Sequence, residues 1–210
     1  MRFLIVTSVE AEAKAIGEFA DALVVVAGIG RTNAACATTE AILTRGPFDG
    51  VVSAGIAGAM PGSGLALGDV VAATSCVYVE EGLSTADGFG DMRALGFPLG
   101  DFEGNTVPVD AGLLQRARDC GLHTAPIATV ATCSGTEAAA VEVVRRTGAL
   151  AEAMEGAAVV HAARRLKTPA IEIRAISNTT GDRPKQQWNI PRALDSLARV
   201  LRRFLREAAE

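Results

Sequence analysis

The chain has 210 residues, 49% of them hydrophobic, and its 20 basic and 24 acidic side chains give a formal net charge of -4. That is length for one sizeable core, so a single domain over 1–210 is expected, and basic residues scattered among acidic ones leave no footprint for nucleic acid. Cys36, Cys76, Cys120 and Cys133 lie far apart and only His123 and His161 accompany them, which indicates neither a metal site nor a disulfide framework.

The opening apolar run Phe3-Leu4-Ile5-Val6 is too short for a signal-peptide core and is soon followed by Glu10 and Glu12. It reads as a strand near 2–7 of a cytoplasmic protein. A helix near 10–20 follows, and its two early carboxylates complement the helix dipole; nothing in the spacing alone makes Glu12 catalytic. A strand near 22–27 runs through the glycine turn Ala27-Gly28-Ile29-Gly30 into a helix near 31–45. The uncharged stretch from Gly50 to Gly68 is long enough to resemble a membrane span, but its six glycines and Pro61 argue against one. It reads instead as a buried strand near 50–54 that enters a glycine-rich loop.

A strand near 69–79 precedes an irregular region from Glu80 to Asn105 that carries Phe89, Phe97 and Phe102; loops of this length tend to be functional or mobile. Helices near 110–120, 136–146 and 155–166 then alternate with strands near 125–132, 148–153 and 169–177. A final helix near 190–207 sets Leu194, Leu197, Leu201, Phe204 and Leu205 on one stripe, as a covering helix does. The alternation describes a mainly parallel sheet packed with helices.

Ligands of such sheets collect beyond the carboxyl ends of the strands, which gives weight to the polar residues there. Gly28 to Gly30 and Gly55-Ile56-Ala57-Gly58 bring backbone N–H groups close to a ligand, but neither is a dinucleotide fingerprint, and no cofactor is indicated. Glu155 emerges among small apolar residues, where acids are uncommon unless paired or functional. Glu172 and Arg174 share one strand face and read as a structural pair.

Glu12 after the first strand, Gly55-x-Ala57-Gly58, Met154-Glu155 and Arg174-Ala175-Ile176-Ser177-Asn178 together resemble the nucleoside phosphorylase and methylthioadenosine/S-adenosylhomocysteine nucleosidase superfamily, over nearly the whole chain. Glu152 to Ala158, Ile176 to Gly181 and the following Gln187-Trp188 are similar to the futalosine hydrolases of menaquinone biosynthesis. The resemblance implies a single-domain, three-layer αβα fold with a central mixed, mainly parallel sheet. It implies an N-glycosidase that takes a small purine nucleoside, with neither nucleic acid nor membrane as partner, and a homo-oligomer built on dimers. By the same resemblance Glu12 activates water, Glu155 holds the ribose hydroxyls, and Met154 packs on the ribose. Ile56, Ala57, Gly58 and Ser177 line the pocket, Thr132 and Cys133 sit beside the base, and Trp188 covers it.

Three positions depart from the nucleosidase pattern. Asn178 replaces an Asp; an amide hands over no proton, but its NH₂ meets the acceptors of a 6-oxopurine. Ile56 stands where a hydroxyl would favour phosphate, and Ala153 where a further Glu stands. A rotated Asn178 amide also pairs with adenine, so it is the resemblance to the futalosine hydrolases that implies hydrolysis of futalosine to hypoxanthine as the expected reaction. The alternatives are a methylthioadenosine/S-adenosylhomocysteine or aminofutalosine nucleosidase, a purine nucleoside phosphorylase, and a silent nucleoside binder.

Overall fold

The computed structural model describes residues 1–206; residue 207 of the expected last helix and the end of the expected 1–210 domain lie outside them. The fully buried run Phe3–Thr7 forms β1, flanked in parallel by β2 (Ala22–Val26) and β3 (Gly50–Ala59). The remaining strands are β4 (Val70–Tyr78), β5 (Gly82–Thr85), β6 (Gly88–Asp91), β7 (Thr106–Pro108), β8 (His123–Thr129), β9 (Ala151–Ala153) and β10 (Ala170–Thr179). Among these, β3 and β10, β4 and β8, and β8 and β9 run parallel. The pairs β10–β4, β3–β9 and β4–β7 are antiparallel. Since β3 pairs with both β9 and β10, the sheet closes on itself around β3, β10, β4, β8 and β9.

Helices cover both faces. On one side α2 (Arg31–Arg45) and α6 (Gly156–Arg165) pack Ala34, Ala41, Ala157, Val159 and Val160 against Leu4, Val51, Ala57 and Ile127. On the other, α1 (Glu10–Ile16), α4 (Ala111–Asp119) and α7 (Ile190–Arg206) close over Ile5, Val52, Ile171 and Ile173. The short α3 (Met92–Leu95) follows the β5–β6 hairpin, and α5 (Glu137–Thr147) packs on a third cluster with Ala128 and Val130. This is the expected mixed three-layer αβα arrangement.

Asn189 starts α7 by accepting the Arg192 N–H at 3.1 Å. The helix then buries Ala193, Leu197, Leu201 and Phe204 completely, a spacing of three to four that makes one apolar face. Each of the three large side chains contributes about 1.5–3 kcal/mol by leaving water, so a charge at Leu201 would detach the layer. Among the described residues no helix is long and apolar enough to cross a membrane.

Two segments differ from expectation. The expected glycine-rich loop after Ala54 is strand as far as Ala59, because β10 pairs along it from Val51 to Ala59 and β9 joins its far end. Its glycines serve close approach. The region from Glu80 to Asn105 is partly ordered by the β5–β6 hairpin, and Asn105 Nδ2 ties its ends by donating to the carbonyls of Tyr78 and Glu81 at 2.9 and 2.8 Å.

Candidate active site

The carboxyl ends of β1, β3, β9 and β10 converge on an open cavity of about 340 Å³. Glu12 enters it from the first turn of α1 and is only 3% exposed. Its Oε2 accepts the backbone N–H groups of Ser8 and Val9 at 2.8 and 3.2 Å, and its Oε1 that of Ile56 at 2.9 Å. Reaching back to Val9 is half of a capping box. The bond to β3 goes further, because it holds the carboxylate in one position over the sheet. Gly55 permits this: a Cβ there would sit 2.4 Å from Glu12 Oε1 and 2.5 Å from Arg174 Nη1.

Arg174, 2% exposed, organises the acids. Its Nε donates to Glu172 Oε1 at 2.9 Å, and its Nη2 to Glu155 Oε2 at 3.2 Å and Ser53 Oγ at 3.3 Å. Burial works against its charge, but Glu172, Glu155 and Glu12 together outweigh that cost and push its pKa up. Burial drives the Glu172 carboxyl above the usual range, with Arg174 pulling back. Glu155, at the head of α6, also accepts the Gly30 N–H through Oε1 at 3.0 Å. One lone pair on each Glu155 oxygen is left for a ligand hydroxyl. Gly156 lets α6 approach this network, since a Cβ there would lie 1.9 Å from the Glu172 carboxyl.

At the other end of the cavity, β10 slips one residue against β3: Ile176 pairs with Ala57 and Asn178 with Gly58. Such a bulge re-aims side chains, and here both Ser177 and Asn178 line the cavity. Ser177 Oγ donates to Asn178 Oδ1 at 2.8 Å, while Asn178 Nδ2 donates to the Thr179 carbonyl at 3.0 Å. One Nδ2 hydrogen therefore remains for a base, where the sequence reading assigned both to it. Trp188 lines the mouth under the Arg183 guanidinium, 4.7 Å from its ring centre.

The cavity brings together Glu12, Ile56, Ala57, Gly58, Cys133, Met154, Glu155, Ser177, Asn178 and Trp188. Thr132 is exposed and does not line it: β8 ends at Thr129, and the turn that follows brings Cys133 and Ser134 to the cavity. Phe89, Phe97 and Phe102 do not line it either. Phe89 lies under Arg146, Phe102 meets the edge of His161, and Phe97 is exposed. The structural pairing of Glu172 with Arg174 is present, but Arg174 also reaches Glu155 and the cavity, which the spacing of two could not reveal. Glu152 was also missed as a site residue, although an acid inside the apolar run Leu150 to Met154 was a usable signal. It is 5% exposed and accepts the Ser134 N–H at 2.8 Å and the Ser134 hydroxyl at 2.6 Å. Among the described residues no group of three or more His, Cys, Asp or Glu is placed to hold a metal ion.

The sequence profile of the phosphorylase superfamily matches residues 14–206. The chain belongs to the phosphorylase superfamily. The futalosine hydrolase of Thermus thermophilus is 40% identical to it over 185 residues, which are 86% of this chain and 79% of that protein. The futalosine hydrolase of Streptomyces coelicolor is 38% identical over 178 residues, 81% and 73% of the two chains. Among solved structures, that of a futalosine hydrolase mutant of Helicobacter pylori matches with a TM-score of 0.82 at 20% identity, covering 98% of this chain and 99% of its own. That likeness is one of fold. The superfamily resemblance read from Glu12, Gly55 to Gly58, Met154-Glu155 and Arg174 to Asn178 is thus borne out, and from these segments Glu12, Ile56, Ala57, Gly58, Met154, Glu155, Arg174, Ser177 and Asn178 meet at the cavity.

Proposed function

We propose that this chain hydrolyses the N-glycosidic bond of futalosine and releases hypoxanthine. The observation that carries the reading is the placement of two buried carboxylates, Glu12 and Glu155, on one cavity, each held by backbone N–H groups. The curated relatives named futalosine hydrolase, at 38–40% identity, support the choice of substrate.

Breaking a ribose–purine bond leaves positive charge on the sugar and negative charge on the departing base, and catalysis comes from stabilising both. In this reading Glu155 accepts ribose hydroxyls on its free lone pairs, and its charge stabilises the cationic sugar. Glu12 takes a proton from the water whose oxygen bonds to C1′, while the electron pair of the C1′–N9 bond leaves with the purine. The purine then takes up a proton from solvent. A 6-oxo group delocalises the charge of the leaving base, which removes the need for an acid at Asn178; the remaining Nδ2 hydrogen supplies a hydrogen bond instead. Ile56 gives a phosphate ion no hydroxyl, and the excess of buried carboxylates repels it, so water is the nucleophile. The homo-oligomeric assembly and cytoplasmic location belong to the same proposal, and the exposed Ile29 and Trp188 on the cavity support a second subunit closing it.

The test is incubation of the purified protein without phosphate against futalosine, aminofutalosine, methylthioadenosine and inosine, with base release followed by chromatography. Hypoxanthine from futalosine is expected. Adenine from methylthioadenosine or aminofutalosine at a comparable rate would replace the proposal with a broader nucleosidase. Release only on adding phosphate would make the protein a phosphorylase.

A further inference from the structure

The register of β3 with its two neighbours sets one row across the floor of the cavity, with Asn178 of β10 and Glu152 of β9 flanking Gly58. Residues in register carry their side chains on the same face, and two strand spacings separate the outer pair by ~10 Å. Gly58 carries no side chain between them, and the Thr180 methyl and the Asn178 amide pack over it, since a Cβ there would come within 2.7 Å of Thr180 Cγ2 and 3.1 Å of Asn178 Nδ2. All three residues line the cavity, which therefore has a polar group at each end of its floor.

The two ends differ in chemistry. Asn178 has one free donor hydrogen. Glu152, when ionised, is an acceptor only. Its Oε1 and Oε2 are each oriented by one Ser134 donor, which leaves one further lone pair apiece. Among the described residues no salt bridge reaches it, although it is almost wholly buried; burial pushes its pKa up, the Ser134 hydroxyl and N–H pull back, and Glu80 adds to the rise. A buried carboxylate without a cation is costly unless a ligand donor meets it.

On this basis, and resting on the purine nucleosidase reading above, we propose that Glu152 is a specificity-determining residue that accepts the N1–H of a 6-oxopurine and turns away 6-aminopurines. Hypoxanthine carries a hydrogen on N1, whereas adenine presents a bare nitrogen lone pair there. An ionised Glu152 attracts the first and repels the second. Sites that hydrogen-bond a substrate donor reject analogues lacking it far more strongly than apolar pockets reject a missing methylene. Protonated Glu152 becomes a donor and accommodates adenine, so the preference fades as pH falls. The charged or titratable groups around it are Glu80, Cys133, Glu155, Arg174, Arg183 and Glu12. Cys133 is itself pushed up by burial, and the Glu152→Gln variant separates Glu152 from the other carboxylates.

The experiment measures binding of free hypoxanthine and free adenine to the full chain by calorimetry between pH 5.5 and 8, so that it stands apart from turnover. Wild type is expected to prefer hypoxanthine by about 100-fold at pH 8, with the preference shrinking at low pH. In Glu152→Gln the fixed Ser134 N–H holds the amide oxygen and leaves an NH₂ hydrogen facing the base. The preference should then fall at least about tenfold and lose its pH dependence. Ser134→Ala removes one donor to the carboxylate while keeping it, so selectivity at pH 8 stays and the pH at which it fades rises. That variant carries the test if Glu152→Gln does not fold. An unchanged preference in Glu152→Gln, an unmoved midpoint in Ser134→Ala, or no preference for hypoxanthine in wild type overturns the inference. Failure of wild type to release base from any nucleoside, with base selectivity intact, would overturn the proposed reaction and leave the role of Glu152 standing.

Discussion

Replacing Arg174 by Met should unfold the protein more easily, and the more so the higher the pH. Its guanidinium is 2% exposed and bonded to Glu172 and Glu155, with Glu12 nearby. Met matches the stem but leaves these acids with no cation, and removing one partner of a buried pair costs about 3–5 kcal/mol. For a chain of this size each kcal/mol shifts the melting temperature by about 2–4 °C, so a fall of about 6–20 °C is expected at pH 8. The sign of the pH effect follows from Glu172, whose folded pKa already lies above its usual value. A carboxyl of that kind contributes stability below its unfolded pKa of about 4.3 and loses it as pH rises through the folded value. Without Arg174 the folded value rises further, so the deficit relative to wild type is small at pH 5 and grows towards pH 8. Thermal unfolding followed by circular dichroism at both pH values measures this. Glu172→Gln in the Arg174→Met background should recover part of the loss. A deficit under about 1 kcal/mol, or one equal at the two pH values, would refute the account of Arg174 as the charge that holds the acids together.

Glu12→Gln keeps the shape and two of the three backbone contacts but removes the proposed base; kcat should fall about 100- to 10,000-fold with a small change in melting temperature, and near-normal turnover would end its assignment as base. In Gly55→Ala the new methyl meets Glu12 Oε1 and Arg174 Nη1 well inside contact distance. Activity should fall about 100-fold through displacement of Glu12, with a stability loss of about 1–3 kcal/mol read from urea unfolding. Asn178→Asp sets a carboxyl against the Thr179 carbonyl, an acceptor that favours the protonated form. It should raise adenine-nucleoside turnover and make kcat decline with rising pH, and a flat profile in stopped assays would contradict that.

The elements visible in the sequence are those whose signal is local. β1 and β4 are runs of apolar and β-branched residues, and α7 shows its stripe at helical spacing. The second half of β3 was hidden because Gly55 to Ala59 has the composition of a loop, and only pairing with β9 and β10 makes it a strand. β5 and β6 are four residues each and mostly exposed, so no alternation marks them. The site divides in the same way. Glu12 and Glu155 sit just after strands and carry the superfamily pattern, whereas the links that give them meaning span 44 residues from Glu12 to Ile56 and 125 from Gly30 to Glu155. Glu152 depends on Ser134, 18 residues away on another segment. Thr132 was misplaced because positional matching does not tell which side of a turn faces inward.

Under the proposed reaction the same network also explains why the acids are buried at all. One guanidinium faces Glu12, Glu155 and Glu172, so negative charge is in excess whichever way Glu172 titrates. That excess is a cost in the empty protein and does little for the neutral ribosyl–purine part of the proposed substrate. In the proposed reaction it gains value only when positive charge develops on the sugar, and interactions stronger in the transition state than in the ground state are the ones that raise kcat. Arg174 keeps the cost within what the fold tolerates. Gly55 and Gly156 let the charged groups sit closer than any side chain there would allow. Activity and stability should therefore separate: Gly55→Ala loses both, while removing acid and arginine as a pair keeps the fold and loses the reaction.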